Sequence, residues 1–403
     1  MPDVHVTVVG IGADGWAGLA GTAQETLAAA DVVLGGPRQL DLVAGKVSAE
    51  LVAWPSPLVP ALPGLLERFG GRRLCALASG DPMFFGLGAT IARAVGPQAL
   101  TVIPHPSSTT FACARLGWPA EAVDVVSVVG RPIERLRRSV APGRRVLVLS
   151  AGAASPALIA AQLTADGYGP SRLTVLEQLG GPGERVVTGI AGGWAEPEGD
   201  ALNIVAVECV AAPGTAVLGE TPGLPDDAYE SDGQLTKREV RAVTLAHLAP
   251  RPGELLWDVG AGAGSIAIEW MRAHRSCRAV AIESDPVRAH RISVNAGRLG
   301  VPALQIVTGR APAALTDLPT PDVVFVGGGL TRPGVLDACW AALPEGGRIV
   351  ANGVTVETES ALAAARERFG GTLVRLQVSR AEPVGGFLGW KPAMPVTIWS
   401  ATR

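Results

Sequence analysis

The chain has 403 residues, of which 48% are hydrophobic and 18% are charged, and its formal net charge is −3. This length is too great for one ordinary hydrophobic core and the composition is that of a globular protein, so we expect two domains and exclude a disordered chain. Because no basic stretch is interleaved with aromatic residues, the sequence lacks the electrostatic footprint of a nucleic-acid-binding protein.

Cysteine usage and hydropathy bear on the cellular compartment. The cysteines lie far apart, form no C-x-x-C pair and have no histidine at metal-ligand spacing; they are Cys75, Cys113, Cys209, Cys277 and Cys339. This pattern predicts a reduced, cytoplasmic protein with no metal site. The most apolar long window, 201–218, is interrupted by polar residues and a proline, and the first residues show no basic region. We therefore expect neither a membrane span nor a signal peptide.

Short apolar runs alternate with helical patterns along the chain, which is typical of parallel sheets covered by helices. In the first half this alternation predicts strands at 4–9, 31–34, 73–78, 100–103, 145–149, 173–177 and 203–208. Strands at this spacing, separated by helices, favour an α/β fold.

Three loops in the first half each follow a predicted strand. Their sequences are VVGIGADGW (8–16), ASGDPMFFG (78–86) and IPHPSSTTFA (103–112). In this order and at these separations they resemble the tetrapyrrole methylases, the class III S-adenosylmethionine (SAM) methyltransferases, and the resemblance extends to 125–132 and 201–208. In that family SAM lies between two α/β lobes and is held largely by backbone. The resemblance implies that the residues near SAM are Gly10, Gly12, Gly80, Asp81, Pro82, Ser107 and Ser108.

Several polar residues of the first half have two readings. Asp81 either faces the substrate as a catalytic residue or caps the following helix. Arg131 either binds a substrate carboxylate or lies at the surface. His105 acts as an acid or base, or it packs. Val129 stands where cobalamin-pathway relatives often carry a histidine, so no acid–base role is transferred to it.

The stretch 211–233 is rich in proline, glycine and aspartate and shows no periodicity, so we predict a linker. The domains expected from this are 1–212, a linker at 213–233, and 234–403. An amphipathic helix should follow at 235–248, with Thr236 and Glu239 forming a capping box at its start.

The second half predicts seven strands, at 255–258, 279–283, 304–308, 322–326, 348–351, 373–379 and 394–399. The segment 255–269, LLWDVGAGAGSIAIE, reads as strand, glycine-rich turn and helix, and Glu283 lies nineteen residues beyond Gly264 at the end of the next strand. Such a loop and acid indicate a nucleotide-like cofactor whose ribose meets the acid. The spacing D-x-G-x-G-x-G resembles the first motif of the Rossmann-like SAM methyltransferases more than a dinucleotide site.

Four further segments of the second half resemble the carbon-15 methyltransferase/decarboxylase of corrin synthesis. They are QLTKREVR (234–241), VTGRAPAAL (307–315), VFVGGG (324–329) and EGGRIVAN (345–352). The positions that this resemblance places around SAM are Thr236, Gly260, Ala261, Gly262, Ala263, Gly264, Glu283 and Ala311. Arg310 stands where relatives usually have aspartate. Asn352, as a catalytic candidate, and Arg332 either meet substrate carboxylates or lie at strand and loop ends.

Together the resemblances imply an α/β protein with an N-terminal two-lobed tetrapyrrole methylase (class III) domain and a C-terminal seven-stranded Rossmann-like (class I) SAM methyltransferase domain. They imply one SAM per domain, methylation at carbons 5 and 15 of a precorrin-6 macrocycle, and decarboxylation of its carbon-12 acetate to give precorrin-8. The partner is a small tetrapyrrole, with no nucleic acid and no membrane, and we expect a homo-oligomer.

Other functions remain open at this point. The same folds serve RNA and protein methyltransferases, although these should show a basic face or an N/D-P-P-Y amine site. A non-catalytic SAM-binding carrier or scaffold would retain both loop sets without turnover. A dinucleotide oxidoreductase would use the glycine loops for NAD.

Overall fold

The computed structural model describes residues 4–403, and their contacts form two compact units. The first unit contains the described residues up to Ile133 together with Ser139–Ala216. The second contains Glu134–Arg138 together with Val217–Arg403. Within residues 4–403 no helix has both the length and the apolar character needed to cross a membrane.

The first sheet of the first unit is parallel and has helices on both faces. Its elements are β1 (Val6–Ile11), α1 (Gly15–Gly18), α2 (Gly21–Ala29), β2 (Val32–Gly35), α3 (Pro37–Val43), β3 (Glu50–Ala53), α4 (Leu58–Arg68), β4 (Leu74–Ser79), α5 (Gly88–Val95) and β5 (Leu100–Ile103). The strand order is β3-β2-β4-β1-β5. Val8 and Val9 of β1 are fully buried in different apolar clusters, as expected for a central strand covered on both sides.

The second sheet of the first unit is mixed. Its elements are α6 (Ser108–Leu116), β6 (Asp124–Ser127), β7 (Arg145–Leu149), α7 (Ser155–Ala165), β8 (Arg172–Glu177), β9 (Arg185–Ile190) and β10 (Asn203–Glu208). The order is β6-β7-β10-β8-β9, and only β6 and β7 pair in parallel. The expectation of parallel sheets throughout was therefore wrong here, because a short loop joins β8 to β9 as a hairpin and β10 inserts between β7 and β8.

The second unit has the predicted seven-stranded Rossmann-like sheet. Its elements are α8 (Arg238–Leu248), β11 (Leu255–Val259), α9 (Ser265–Ala273), β12 (Arg278–Glu283), α10 (Pro286–Arg298), β13 (Gln305–Thr308), β14 (Val323–Val326), α11 (Val335–Ala342), β15 (Arg348–Gly353), α12 (Val356–Phe369), β16 (Thr372–Leu376), β17 (Ser379–Val384), β18 (Phe387–Pro392) and β19 (Val396–Thr402). The order is β13-β12-β11-β14-β15-β19-β16, with β19 antiparallel to both neighbours. This confirms the α/β class for this half of the chain.

The predicted strand at 373–379 was wrong at its end. The strand β16 stops at Leu376, and Ser379 begins a separate two-stranded hairpin of β17 and β18. The turn between them is Gly385-Gly386, a pair that favours tight hairpin turns.

The segment 217–233, predicted as part of a linker, is packed into the second unit. Leu224 and Tyr229 are buried, and the buried carboxylate of Glu269 accepts hydrogen bonds from the backbone N–H groups of Gly223 (2.5 Å) and Leu224 (3.1 Å) and from the Tyr229 hydroxyl (2.8 Å). Two of these bonds come from backbone groups and the third from a hydroxyl, so they leave no hydrophobic periodicity for sequence reasoning to detect.

The predicted capping box at Thr236 was wrong. Helix α8 begins at Arg238, its N-cap residue is Lys237, and no side chain caps it. The carbonyl of Thr236 instead accepts a hydrogen bond from the guanidinium of Arg241, which is fully buried and pairs with Glu269. Tertiary pairing of this arginine thus sets the start of the helix.

Candidate active sites

The three predicted loops of the first unit meet at the carboxyl ends of adjacent strands. The sheet order places β1 between β4 and β5, so their loops are neighbours. A Cβ added to Gly10 would overlap the carbonyl oxygen of Gly80 and lie 2.8 Å from the backbone nitrogen of His105. Gly10 therefore permits direct backbone contact between the loops, which is a role that only glycine fills.

A cavity of about 520 Å³ lies above these loops within the first unit. The predicted site residues that line it are Gly12, Gly80, Asp81, Ser107 and Ser108; Gly10 and Pro82 do not line it. The second sheet supplies the opposite wall, with Ser127, Val129, Leu149, Ser150, Asn203 and Ile204. Large concave sites of this kind, apolar with a few convergent polar groups, are typical ligand sites.

Two oxygens in this wall have unused hydrogen-bonding capacity. Ser150 Oγ and Asn203 Oδ1 are buried and have no hydrogen-bond partner among the described residues. The other end of the Asn203 amide donates to the carbonyl oxygens of Asp200 (2.8 Å) and Gly152 (3.3 Å), which fixes its orientation. Because an unsatisfied buried polar atom is unfavourable, both oxygens favour a ligand with N–H or O–H donors.

The adjacent serines of the third loop have different roles. Ser107 is the N-cap of α6, where its hydroxyl accepts from the Thr110 backbone N–H at 3.1 Å and contacts the Thr109 hydroxyl at 2.6 Å. Ser108 is exposed at the first helical position. Of the two, Ser108 is better placed to contact a bound molecule.

Asp81 is half-buried and lines the cavity. Its Oδ1 accepts a hydrogen bond from the Met83 backbone N–H at 2.8 Å, and the next helix begins only at Gly88. The carboxylate therefore stabilises the turn that follows β4 and does not cap α5.

His105 is buried next to Gly12 and does not line the cavity. Its Nε2 lies 3.4 Å from Asp14 Oδ1, and neither atom makes a hydrogen bond within the described part of the chain. Its ring also packs near Phe111, at 6.2 Å between centroids. These contacts favour the packing interpretation.

Arg131 is exposed beside the cavity. Its guanidinium carbon lies 5.7 Å from the ring centroid of Phe85, a residue that lines the cavity. Val129, at the position where relatives often carry a histidine, is 55% exposed and also lines it.

Sequence reasoning missed a polar group at the end of β2. Arg38 and Gln39, in α3, both line the cavity and both donate to Ser79 Oγ, at 3.1 and 2.8 Å. Burial lowers the pKa of Arg38, and the charge of Asp200 opposes this effect. The sequence Gly36-Pro37-Arg38 after a predicted strand was the available signal, since proline often opens a helix at such a place.

In the second unit the predicted glycine loop makes close backbone contacts. Gly260, Gly262 and Gly264 all have positive φ (74°, 60° and 78°). A Cβ on Gly260 would lie 2.7 Å from the Cα of Gly328, and one on Gly262 would lie 2.8 Å from the carbonyl oxygen of Gln234. The loop thus brings the end of β11 against two of the segments that the sequence associated with it.

Glu283 lies against the same loop at the end of β12. It is 5% exposed, and its carboxylate accepts from the backbone N–H groups of Gly262 (2.9 Å) and Asp285 (3.0 Å). The predicted acid and the predicted loop are therefore in direct contact.

Asp258, the acid that opens the glycine motif, is almost fully buried. Its Oδ2 accepts from the Ala267 backbone N–H at 3.1 Å, whereas Oδ1 has no partner within residues 4–403. Burial raises the pKa of Asp258 to about 7, and the negative charge of Glu283 adds to this. Sequence reasoning gave this residue no individual role.

The remaining predicted site residues of the second unit differ in burial and in their partners. Asn352, at the end of β15, donates from Nδ2 to the buried Thr244 hydroxyl at 2.8 Å, and its Oδ1 is buried without a partner in the described chain. Arg332 is exposed beside Gly329, and Ala311 is partly buried in the apolar cluster under the sheet. The loop residue Ala263 is buried, and Ala261 is partly buried.

Two family models match the chain. The model described as tetrapyrrole (corrin/porphyrin) methylases matches residues 5–192, and the model described as precorrin methyltransferase domain matches residues 227–403. With the two α/β units and their loops, these matches define a fusion of two methyltransferase domains.

Full-length relatives carry the same fusion. A Sinorhizobium protein named precorrin-6Y C(5,15)-methyltransferase (decarboxylating) is 49% identical over 398 residues, which cover 99% of this chain and 96% of the relative. A protein of the same name from Mycobacterium tuberculosis (strain ATCC 25618 / H37Rv) is 47% identical, and the match covers 99% of this chain and 100% of the relative. Among solved structures, the C-terminal domain of precorrin-6Y C5,15-methyltransferase from Rhodobacter capsulatus is 45% identical with a TM-score of 0.44, covering 46% of this chain and 100% of that chain. The chain belongs to the precorrin-6Y C(5,15)-methyltransferase (decarboxylating) family, which confirms the resemblance found in the sequence.

Proposed function

We propose that this protein is a bifunctional SAM-dependent C-methyltransferase of cobalamin biosynthesis. It methylates carbons 5 and 15 of a precorrin-6 macrocycle and removes the carbon-12 acetate carboxyl group as CO₂, giving precorrin-8. Residues 1–212 form the domain that methylates carbon 5, residues 213–233 connect the domains, and residues 234–403 methylate carbon 15 and decarboxylate. The observation that carries this proposal is that relatives named for this activity match 99% of the chain.

Each unit has residues suited to a SAM molecule of its own. In the first unit the loops of Gly12, Gly80 and Ser108 line the cavity, and the free oxygens of Ser150 and Asn203 suit the donors of an adenosine. In the second unit the residues assigned to the cofactor are the backbone of 260–264 and the side chain of Glu283. Thr236 and Ala311 are assigned to it as well, because they belong to the sequence motifs that the resemblance places around SAM. When bound, SAM supplies an electrophilic methyl group.

The protein's own contribution is to align the reactants and to exclude water. Well-oriented reactants lower a barrier by up to about 7–11 kcal/mol relative to free encounter. The apolar cavity wall of Trp54, Phe84 and Phe85, with Leu149 on the opposite wall, supplies apolar surroundings in the first unit. Asp81 lies on the same wall and Arg131 lies beside it, and we assign them to the macrocycle in this unit.

In the second unit Asn352 is the residue assigned to position the macrocycle for the loss of its acetate carboxyl group. Its Nδ2 donates to the Thr244 hydroxyl, and its Oδ1, which can only accept, is assigned to an N–H group of the macrocycle because a carboxylate offers no donor. Arg332 is assigned to a peripheral carboxylate, because guanidinium groups bind carboxylates in a paired geometry.

The assembly and location are also proposed. The hairpin of β17 and β18 exposes Phe387 (85%), Leu388 (72%) and Trp390 (77%), which supports a homo-oligomer with this face covered by a second copy. The five cysteines are buried and unpaired, which supports a cytoplasmic protein. Light scattering of the purified full-length chain measures its oligomeric state and thereby tests the proposed homo-oligomer.

The direct test is incubation of the full-length protein with SAM and a precorrin-6 substrate, followed by mass spectrometry and CO₂ measurement. Two added methyl groups and one CO₂ per macrocycle are expected. Binding of SAM without any turnover would instead identify a carrier protein, and the enzymatic proposal would fail.

A further inference from the structure

The cavity of the first unit has a cationic end. Arg38 and Asp81 are the charged side chains among the described residues that line it, and the rest of the wall is largely apolar or hydroxyl-bearing. The acid Asp81 is engaged with the Met83 backbone at its turn. A cation facing an apolar cavity is stabilised by an anion that compensates its charge. The charge of Asp200 acts on Arg38, but no hydrogen bond or ion pair joins the two side chains within the described residues.

The group around Arg38 has more donors than acceptors. Ser79 Oγ accepts from both Arg38 Nη2 (3.1 Å) and Gln39 Nε2 (2.8 Å), so the Ser79 hydroxyl hydrogen remains to be donated elsewhere. A guanidinium has five N–H donors, and one hydroxyl cannot satisfy them. Three neighbouring donor groups on a cavity wall are a typical arrangement for a carboxylate.

The position of this group in the fold separates it from the proposed cofactor loops. Arg38 follows β2, whereas Ser108 follows β5, and the order β2-β4-β1-β5 puts three strand spacings between them. At about 4.8 Å per spacing this is roughly 14 Å. The donor group therefore lies at the other end of the cavity from the serine loop.

We propose that Arg38, with Gln39 and Ser79, binds a peripheral carboxylate of the macrocycle and thereby sets which meso carbon faces the methyl donor in the first unit. The inference rests on the proposed function, whose substrate carries acetate and propionate groups around an apolar ring. Trp54, Phe84 and Phe85 also line this cavity, so they would contact the ring while the guanidinium would meet its edge. Arg38 is thus a substrate-binding residue that does not take part in methyl transfer itself.

The test compares Arg38→Met, Arg38→Lys and Gln39→Met with a matched control, Arg93→Met, whose arginine is exposed on α5 of the same unit and does not line the cavity. Methylation at carbon 5 and at carbon 15 is followed separately on the full chain with SAM and precorrin-6 substrate. Arg38→Met should raise KM for carbon-5 methylation roughly 10- to 100-fold, as expected when a charge-assisted hydrogen bond is lost. Arg38→Lys and Gln39→Met should give smaller increases.

Three other readouts distinguish the possibilities. The Kd for SAM, the carbon-15 reaction and the behaviour of Arg93→Met should stay within about twofold of wild type. An unchanged KM in Arg38→Met, or a Kd for SAM that rises with it, overturns the inference, the latter because Arg38 would then be a cofactor ligand. If Arg38→Met does not fold, Gln39→Met decides by the same readouts. Absence of turnover in the wild type defeats the proposed function instead.

Discussion

The backbone N–H of Gly262 donates to the Glu283 carboxylate at 2.9 Å, so the glycine loop after β11 is bonded directly to the acid that ends β12. The acid also holds the Asp285 N–H at 3.0 Å, at the start of α10. Backbone N–H groups therefore fix both oxygens of Glu283, which preorganises the site.

Replacing this acid by its amide should weaken SAM binding in the second unit. In Glu283→Gln one of the two backbone N–H groups faces an amide NH₂ instead of an oxygen, which costs about 1–3 kcal/mol, or roughly 5- to 150-fold in Kd. Calorimetry should then show one strong and one weak SAM equivalent in place of two strong ones. Glu357→Gln, on the surface at the start of α12, is the control and should bind like wild type. Two unchanged equivalents in Glu283→Gln would contradict the assignment.

A methyl group at Gly10 should affect the first unit selectively. In Gly10→Ala the Cβ overlaps the carbonyl oxygen of Gly80, so the loops after β1 and β4 must separate, at a cost of about 1–3 kcal/mol. We expect methylation at carbon 5 to be lost and the carbon-15 reaction to continue, as measured by product mass.

Gly21→Ala provides the matched control for that experiment. It lies at the start of α2 in the same unit, and a Cβ there meets nothing within 4 Å. Equal loss of both reactions in Gly10→Ala, or loss of carbon-5 methylation in Gly21→Ala, would speak against a local effect.

How much of the fold was predictable depended on where each strand lies in its sheet. Central strands such as β1 and β11 are buried and are rich in apolar residues. The strands that sequence reasoning missed in the first unit, β3, β6 and β9, all lie at sheet edges, although the edge strand β5 was predicted. Edge strands face solvent on one side and carry mixed residues, as in the exposed pattern of β9.

The sites were predictable where a glycine pattern fixes the backbone, and were missed where tertiary contacts decide. The loops at Gly10 and Gly260 follow from local spacing, and the structure brings each against the segments paired with it. Arg38 has no motif of its own, because its position depends on Ser79 forty-one residues away. The raised pKa of Asp258 likewise comes from burial, which cannot be read from a single sequence.

That burial predicts a pH effect on stability. The pKa of Asp258 is raised to about 7 in the folded protein from an ordinary value of 3.8, so between these values the folded state binds more protons than the unfolded state. Stability should therefore fall as pH rises from about 4 to 7, by an amount of a few kcal/mol at most, and the loss should be complete above that range. Asp258→Asn keeps an oxygen for the Ala267 N–H and should flatten this dependence. Urea unfolding at several pH values measures the free energy of unfolding as a function of pH, with the surface variant Asp317→Asn as control. If this free energy depends on pH in Asp258→Asn as it does in wild type, the interpretation is refuted.

The last prediction concerns decarboxylation. Asn352→Ala removes an oxygen that is buried and unpartnered together with the bond to Thr244, whereas Thr244→Val removes only the bond and nearly keeps the shape. If Asn352 positions the macrocycle for decarboxylation, Asn352→Ala should lower kcat for CO₂ release by roughly 100-fold, in the range for loss of one preorganised polar contact. Thr244→Val should lower it less, since the amide stays in place but is held less firmly. Methylation at carbon 5 on the same protein should be unchanged and serves as the internal reference. Equal CO₂ release by Asn352→Ala and wild type would leave Asn352 as a purely structural residue at the end of β15.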